Sequence, residues 1–257
     1  MKSTIIWESD RLVAISKAPG VSLATSRAGG ADAVQRLLSS LAERDRHSLW
    51  ADEGGPHLVH RLDVGTSGLV VLARDREAHA AVVRALSERQ VEKAYLALVW
   101  GKPKPPEGLW EWALGPDRED RRRMQTDPHG KPSKSRFKTL ATHPHVSLLE
   151  LRPETGRTHQ LRVHCLQAGH LIVGDDLYGG AKERGVRDEA LRRHLHPGRP
   201  LLHAWSLHLP ATAAGPEVIL CAPIPADFAQ VLNFLRIAPP EAPSAVTASK
   251  GMKPRPG

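Results

Sequence analysis

His60-Arg61-Leu62-Asp63-Val64-Gly65-Thr66-Ser67-Gly68-Leu69-Val70-Val71-Leu72-Ala73 sets a carboxylate between a basic dipeptide and a glycine-hydroxyl turn, then runs into an unbroken apolar stretch. Val59 to Leu62 is too short and too polar for a helix, and Gly65 to Gly68 reads as a turn. Leu69 to Ala73 has the continuous apolar character of a buried strand. Asp63 is therefore expected on a loop beside a rigid element, where a scaffold can hold a reactive group within reach of solvent and substrate. Taken alone, the segment is better explained with Asp63 as a plain turn residue.

Working outward, Thr4 to Trp7 and Leu12 to Ser16 read as two short strands, and Lys17-Ala18-Pro19-Gly20 forces a sharp turn after the second. Ala31 to Asp45 has helical spacing, and Asp52 to Pro56 is an acidic, glycine-rich loop. Beyond the opening stretch, Asp75 is a good N-cap for a helix to about Arg89, with Ala78, Val82, Ala85 and Leu86 inward. Glu92 to Trp100 is a central strand and Lys102 to Gly108 a proline-lysine linker. Arg118, Arg121, Arg122 and Arg123 mark an exposed basic hairpin or loop. Ser133 to Thr142 and Val146 to Arg152 read as an antiparallel pair.

Gly156 to Gly169 is expected as a helix with Gly169 at C′. Leu161, Cys165 and Ala168 would form its apolar stripe, and His159 and Arg162 would share a side able to face a cleft. Gly174 to Gly179 is a turn, Lys182 to Leu195 a basic surface helix, and Leu201 to Leu209 and Glu217 to Cys221 are strands. Pro225 opens a last helix. This order implies an α+β fold, with a largely antiparallel mixed sheet and flanking helices. One domain is expected over residues 1–237, and a disordered tail over 238–257, where Pro, Ser, Ala and Lys dominate.

The 257 residues suffice for a substantial core. A net charge of +8, with fourteen histidines in reserve, biases the partners towards polyanions. Cys165 and Cys221 form no CxxC pair, so neither a disulfide framework nor a zinc site is indicated. The first residues are too short for a signal-peptide core, and no apolar run approaches the roughly twenty residues that cross a bilayer. A cytoplasmic protein without membrane partners is expected.

His57 with His60 and His159 with His164 lack the spacing of an HExxH site, and no Cys or Glu completes one, so no metal is expected. A GxSxG elbow, a Walker A loop and a GxGxxG fingerprint are missing from the sequence, which removes the common hydrolase, NTPase and dinucleotide classes. Thr66-Ser67-Gly68 has no base to activate its serine. Tyr95 reads as core, Arg157 and Arg162 as surface charges, Lys17 as a solvated turn lysine and Asp175 as a turn former.

The combination reads differently. His60-Arg61-Leu62-Asp63 with Thr66-Ser67-Gly68-Leu69, followed later by Gly156-Arg157-Thr158-His159-Gln160-Leu161-Arg162-Val163-His164, closely resembles the RluA family of pseudouridine synthases. Lys17-Ala18-Pro19-Gly20, Lys93-Ala94-Tyr95 and Gly169-His170-Leu171-Ile172-Val173-Gly174-Asp175 through Tyr178-Gly179 extend the likeness from Thr4 to Leu235. The chain starts at the catalytic region, so an N-terminal S4-type module is not expected. Ala18 stands where proline is commoner, and Ser133-Lys134-Ser135 departs from the usual strand start.

The resemblance implies the pseudouridine synthase fold with a central catalytic cleft, acting as a monomer without cofactor or dinucleotide on ribosomal RNA, transfer RNA or both. Asp63 would be the nucleophile or charge stabiliser at C1′, Arg162 its counter-charge, and Tyr95 the residue stacked on the target base. Arg61 would occupy the gap left by the flipped base or hold the displaced strand. Lys17, Arg157, His159, Arg121, Arg122 and Arg123 are the implied RNA-binding set. The alternatives are a catalytically silent RNA-binding protein of the same fold, and a metal-dependent hydrolase using the histidines.

Overall fold

A computed structural model describes residues 1–24, 31–41, 56–179 and 185–243. Positions 42–45 of the first expected helix, 52–55 of the acidic loop, 182–184 of the basic helix and 244–257 of the tail lie outside the described residues.

In chain order the elements begin with β1 (Thr4–Glu8), β2 (Leu12–Lys17), α1 (Ala31–Ser39), β3 (His57–Leu58), β4 (Ser67–Ala73), α2 (Arg76–Ser87) and β5 (Glu92–Trp100). Then come β6 (Glu107–Glu111), β7 (Leu114–Pro116), β8 (Met124–Thr126), β9 (Lys134–Thr142), β10 (Val146–Pro153) and α3 (Gln160–Gln167). The last are α4 (Asp176–Gly179), α5 (Glu189–His194), β11 (Leu202–Leu209), β12 (Val218–Cys221) and α6 (Ala226–Phe234). The fold is α+β with largely antiparallel strands, as the order of segments implies. The described residues divide into a first unit drawn from 1–93, 204–223 and 242–243, and a second drawn from 94–203 and 224–241.

In the first unit β2 pairs antiparallel with both β1 and β4, and β3 adds to β4. All seven residues of β4 are buried, which is why Leu69 to Ala73 carries no alternation of polar and apolar residues. The strand begins at Ser67 rather than Leu69, because Gly68 pairs with Lys17 in the β2 ladder. Gly68 has φ +112°, and a Cβ there would meet the Ala204 carbonyl oxygen at 2.2 Å. Only glycine permits that backbone approach at the base of the Asp63 loop.

Helix α1 stops at Ser39, short of the expected Asp45. The Ser40 hydroxyl donates to the Leu37 carbonyl, and Leu41 leaves the helix to form a bridge with Ser3. Asp75 caps α2 as expected, accepting from the Ala78 amide, and Ala78, Val82 and Ala85 face inward. Leu86 is only half-buried.

In the second unit the strand order is β5-β10-β9-β6, and β7 with β8 forms a separate hairpin. Strand β6 occupies part of a stretch that reads as linker. Its anchor is Trp110, stacked on Phe137 of β9 with ring centroids 4.3 Å apart, so tertiary packing supplies what local pattern lacks. Ala97, Val99, Leu149, Leu151, Leu161, Cys165 and Ile172 complete this core. Each large apolar side chain buried there contributes about 1.5–3 kcal/mol.

Two helices are shorter than their patterns suggest. Helix α3 starts at Gln160 because His159 adopts a left-handed conformation with φ 54°. Asp188 caps α5 at Glu189–His194, and, among the described residues, 186–188 separate it from the preceding part of the basic segment. Gly169, with φ +80°, ends α3 as expected.

Candidate active site

The Asp63 loop is held from two sides. The Thr66 amide donates to the Asp63 carbonyl at 3.1 Å, closing the turn, and the Gly20 amide donates to the Val64 carbonyl at 2.7 Å. Lys17, expected as a solvent-facing phosphate contact, is instead 1% exposed. Its ammonium donates to the carbonyls of Ala18, Val21 and Val64 at 2.9, 3.2 and 3.3 Å. Three donors meet three acceptors, which is what a buried ammonium requires. Lys17 thus fastens the turn after β2 to the residue beside Asp63. Asp63 itself is half-buried, between exposed Arg61 and exposed Val64.

His60 accepts a hydrogen bond from the Val71 amide through Nε2 at 3.1 Å. Burial, and to a lesser degree nearby Lys93, pushes its pKa down to about 3. His57 stands 5.5 Å from His79, centroid to centroid, so the two rings of the His57 and His60 pair have separate surroundings.

The second motif is decoded residue by residue in the second unit. Arg157 is half-buried and donates through Nε to the Pro132 carbonyl at 3.2 Å. Gln160 is 4% exposed and fully used. Its Oε1 accepts from the Thr155 hydroxyl and the Arg157 amide, and its Nε2 donates to the Lys134 carbonyl and the Ser135 hydroxyl. It clamps the turn that delivers the chain into α3. His164 is buried, with Nε2 2.8 Å from the Ser133 hydroxyl and its ring edge-on to Trp112. Burial pushes its pKa down to about 4.

Arg162 is buried and bidentate with Asp175: Nε to Oδ2 and Nη2 to Oδ1 are both 2.7 Å. The guanidinium also lies 4.8 Å from the Tyr178 ring centroid. His159 Nδ1 is 2.8 Å from the Tyr178 hydroxyl. His159 and Arg162 therefore do share a side, as their spacing predicts, but Tyr178 covers it. Asp175 is held by Gly174, which has φ +76° and whose Cβ would meet the Arg199 carbonyl oxygen at 2.1 Å.

Tyr95, on β5, is half-buried and packs against the core of its unit opposite Leu151. The three-arginine cluster of the β7–β8 hairpin is split. Arg121 is exposed and makes no hydrogen bond or ion pair among the described residues. Arg122 is paired with Asp120 at 2.7 Å, and Arg123 turns inward, 5.3 Å from the Tyr178 ring. Among the described residues no group of three or more His, Cys, Asp or Glu is placed to hold a metal. Gln160 and Tyr178 stand inside the motifs without an expected role, and Asp175 is expected only to form a turn. The signal available was an aspartate and a tyrosine enclosed between Gly174 and Gly179.

Two histidines, half-buried His60 and buried His164, set a pH dependence. Both folded values lie below the roughly 6.5 of an unfolded histidine, so the unfolded chain takes up protons first as pH falls. Stability present above about pH 6.5 is then lost towards the folded values of about 3 and 4. Each ring contributes a slope approaching about 1.4 kcal/mol per pH unit. Urea denaturation at steps between pH 7 and pH 4.5 should show the unfolding free energy falling throughout. A flat profile would contradict the lowered pKa of both rings.

Residues 11–167 match the family model described as RNA pseudouridylate synthase. An uncharacterised RNA pseudouridine synthase of Chloroflexus aurantiacus is 40% identical over 200 residues, 78% of this chain and 60% of that protein. Ribosomal large subunit pseudouridine synthase D of Nitrosomonas europaea is 34% identical over 235 residues, 91% of this chain and 66% of that protein. The chain thus spans about 60–66% of the length of these two relatives. Among solved structures, human RNA pseudouridylate synthase domain containing 4 superposes with a TM-score of 0.72 at 25% identity, covering 93% of this chain and 95% of that one. With its family match extending over the Asp63 loop and all of α3, the chain belongs to the RNA pseudouridylate synthases, a family of isomerases.

Proposed function

We propose that the protein isomerises uridine to pseudouridine in structured RNA, with Asp63 as the nucleophile. The observation that carries this reading is a half-buried carboxylate on a loop fastened by Lys17 and Gly20 to its scaffold. Asp63 bonds to C1′ as the C1′–N1 bond breaks, and the uracil turns to bring C5 to the sugar. The C5–C1′ bond forms as the carboxylate leaves, the C5 proton passes to solvent, and N1 takes one up. A carboxylate suits this because it can bond to an electron-poor carbon and leave again. No electrons are gained or lost, so the reaction needs no redox cofactor.

Tyr95 stacks on the target base and Arg162 supplies fixed positive charge to the reaction. Flipping a base out of folded RNA costs a few kcal/mol, which contacts from exposed Arg61 and Val64 help to offset. The name of the Nitrosomonas relative makes ribosomal RNA the first substrate class to test, with transfer RNA second. A cytoplasmic site of action agrees with both.

The test is tritium release from RNA carrying tritium at uridine C5, prepared from cells that lack the gene. Release into water is expected from ribosomal or transfer RNA. A catalytically silent RNA binder would release none, and that result would overturn the proposal.

RNA affinity gives a second measurement. If Arg121 contacts phosphate and Arg122 is neutralised by Asp120, then Arg121→Ala should lower the slope of log affinity against log salt by roughly 0.7–0.9. Arg122→Ala should lower it by less. Equal slopes for Arg121→Ala and the unaltered protein would make Arg121 an ordinary solvated charge.

A further inference from the structure

We propose that Tyr178 is a positioning residue through which the seating of the β7–β8 hairpin on RNA controls the placement of the Arg162 guanidinium; this rests on the function proposed above. Tyr178 is 5% exposed, and its two ends engage different elements. The phenol oxygen accepts the Met124 amide hydrogen at 2.8 Å, at the first residue of β8. With that lone pair occupied, the phenol hydrogen is available to His159 Nδ1. The ring packs with Leu114 of β7 and Val163 of α3, and it lies beneath the Arg162 guanidinium. One aromatic side chain therefore touches both strands of the hairpin and the arginine that the reaction uses.

The backbone that carries Tyr178 has little room to yield. Gly174 abuts the Arg199 carbonyl, and a Cβ at Gly179 would overlap the Leu171 side chain at 1.6 Å. A shift of the hairpin is accordingly met by the ring and not by α4. The hairpin turn is itself organised around Asp117, whose Oδ1 accepts from the Glu119 and Asp120 amides at 2.9 and 3.1 Å. The Arg123 Nε lies 3.7 Å from the same carboxylate, and its guanidinium is over the Tyr178 ring. When the hairpin seats on phosphate, the Met124 amide and Arg123 carry that position to the ring. The ring then carries it to Arg162.

The coupling is read first without any activity, from solvent exchange of the Arg162 Nε–H in arginine-labelled protein by NMR, with Arg162→Lys assigning the signal. Asp117→Ala loosens the turn and should speed this exchange about ten-fold, the effect of one weakened hydrogen bond. In a Tyr178→Leu background it should add almost nothing, because both the hydroxyl that meets Met124 and the ring beneath Arg123 are then gone. Additive effects of the two substitutions, or no effect of Asp117→Ala, overturn the proposal. The second reading is the single-turnover rate constant for tritium release, with enzyme in excess over C5-tritiated ribosomal RNA.

Tyr178→Phe should lower that rate constant about ten-fold with RNA affinity nearly unchanged, and Tyr178→Leu, which also removes the ring, should lower it further. A mere loss of folded protein would change the amplitude and leave the rate constant alone. That outcome also overturns the proposal. If the unaltered protein releases no tritium from any RNA, the proposed reaction falls, and the exchange experiment still decides whether Tyr178 couples the hairpin to Arg162.

Discussion

Asp63→Asn is expected to abolish isomerisation, with tritium release slowed at least about 10⁴-fold, the scale on which removal of a covalent nucleophile acts. The amide keeps the size and shape of the carboxylate but cannot form and break the bond to C1′. The hydrogen bonds that hold this turn, from the Thr66 amide to the Asp63 carbonyl and from Lys17 and Gly20 to Val64, are made by backbone carbonyls and survive the substitution. RNA affinity should therefore change little, and a filter-binding titration beside the tritium assay separates the two quantities. Retained turnover in Asp63→Asn would remove Asp63 from the mechanism, whatever the family relationship.

The second large effect is on stability. Arg162 and Asp175 have side-chain exposures of 8% and 1%, and they share two hydrogen bonds of 2.7 Å. Removing one member of a buried pair leaves the other charge without the partner that offset its desolvation, at a cost of roughly 3–5 kcal/mol. Asp175→Ala should therefore lower the unfolding free energy by about that amount in urea denaturation. Arg162→Lys should also destabilise, because an ammonium cannot reproduce the two-pronged geometry of the guanidinium. A loss below about 1 kcal/mol for Asp175→Ala, the range of a surface pair, would show that the pair contributes little in solution. The same substitution tests the site, since Arg162 would lose the carboxylate that orients it.

These two experiments address residues of different legibility. Asp63 is readable from its neighbours: a polar segment, a glycine turn and an unbroken apolar strand can be arranged in few ways. Arg162 is readable only as a member of a motif. Its partner Asp175 lies beyond the end of α3, and nothing local distinguishes that aspartate from a turn former. The same holds for Tyr178, whose hydroxyl reaches Met124 and His159 across intervals of 54 and 19 residues.

The amino-acid sequence by itself determined the α+β class, most strand positions, the Asp75 and Gly169 helix boundaries and the loop that presents Asp63. These depend on periodicity, capping and turn chemistry, which act over a few residues. Only the tertiary structure decided that Lys17 is a buried fastener, that α1 and α3 are shorter than their patterns, that Trp110 anchors a strand beginning at the end of the linker, and that Arg162 answers to Asp175 and Tyr178. In three of these cases a deciding partner is distant in the chain: Val64 for Lys17, Ser3 for Leu41, Phe137 for Trp110. Burial turned a lysine that looks solvated into one that must find three carbonyls, and folding supplied them.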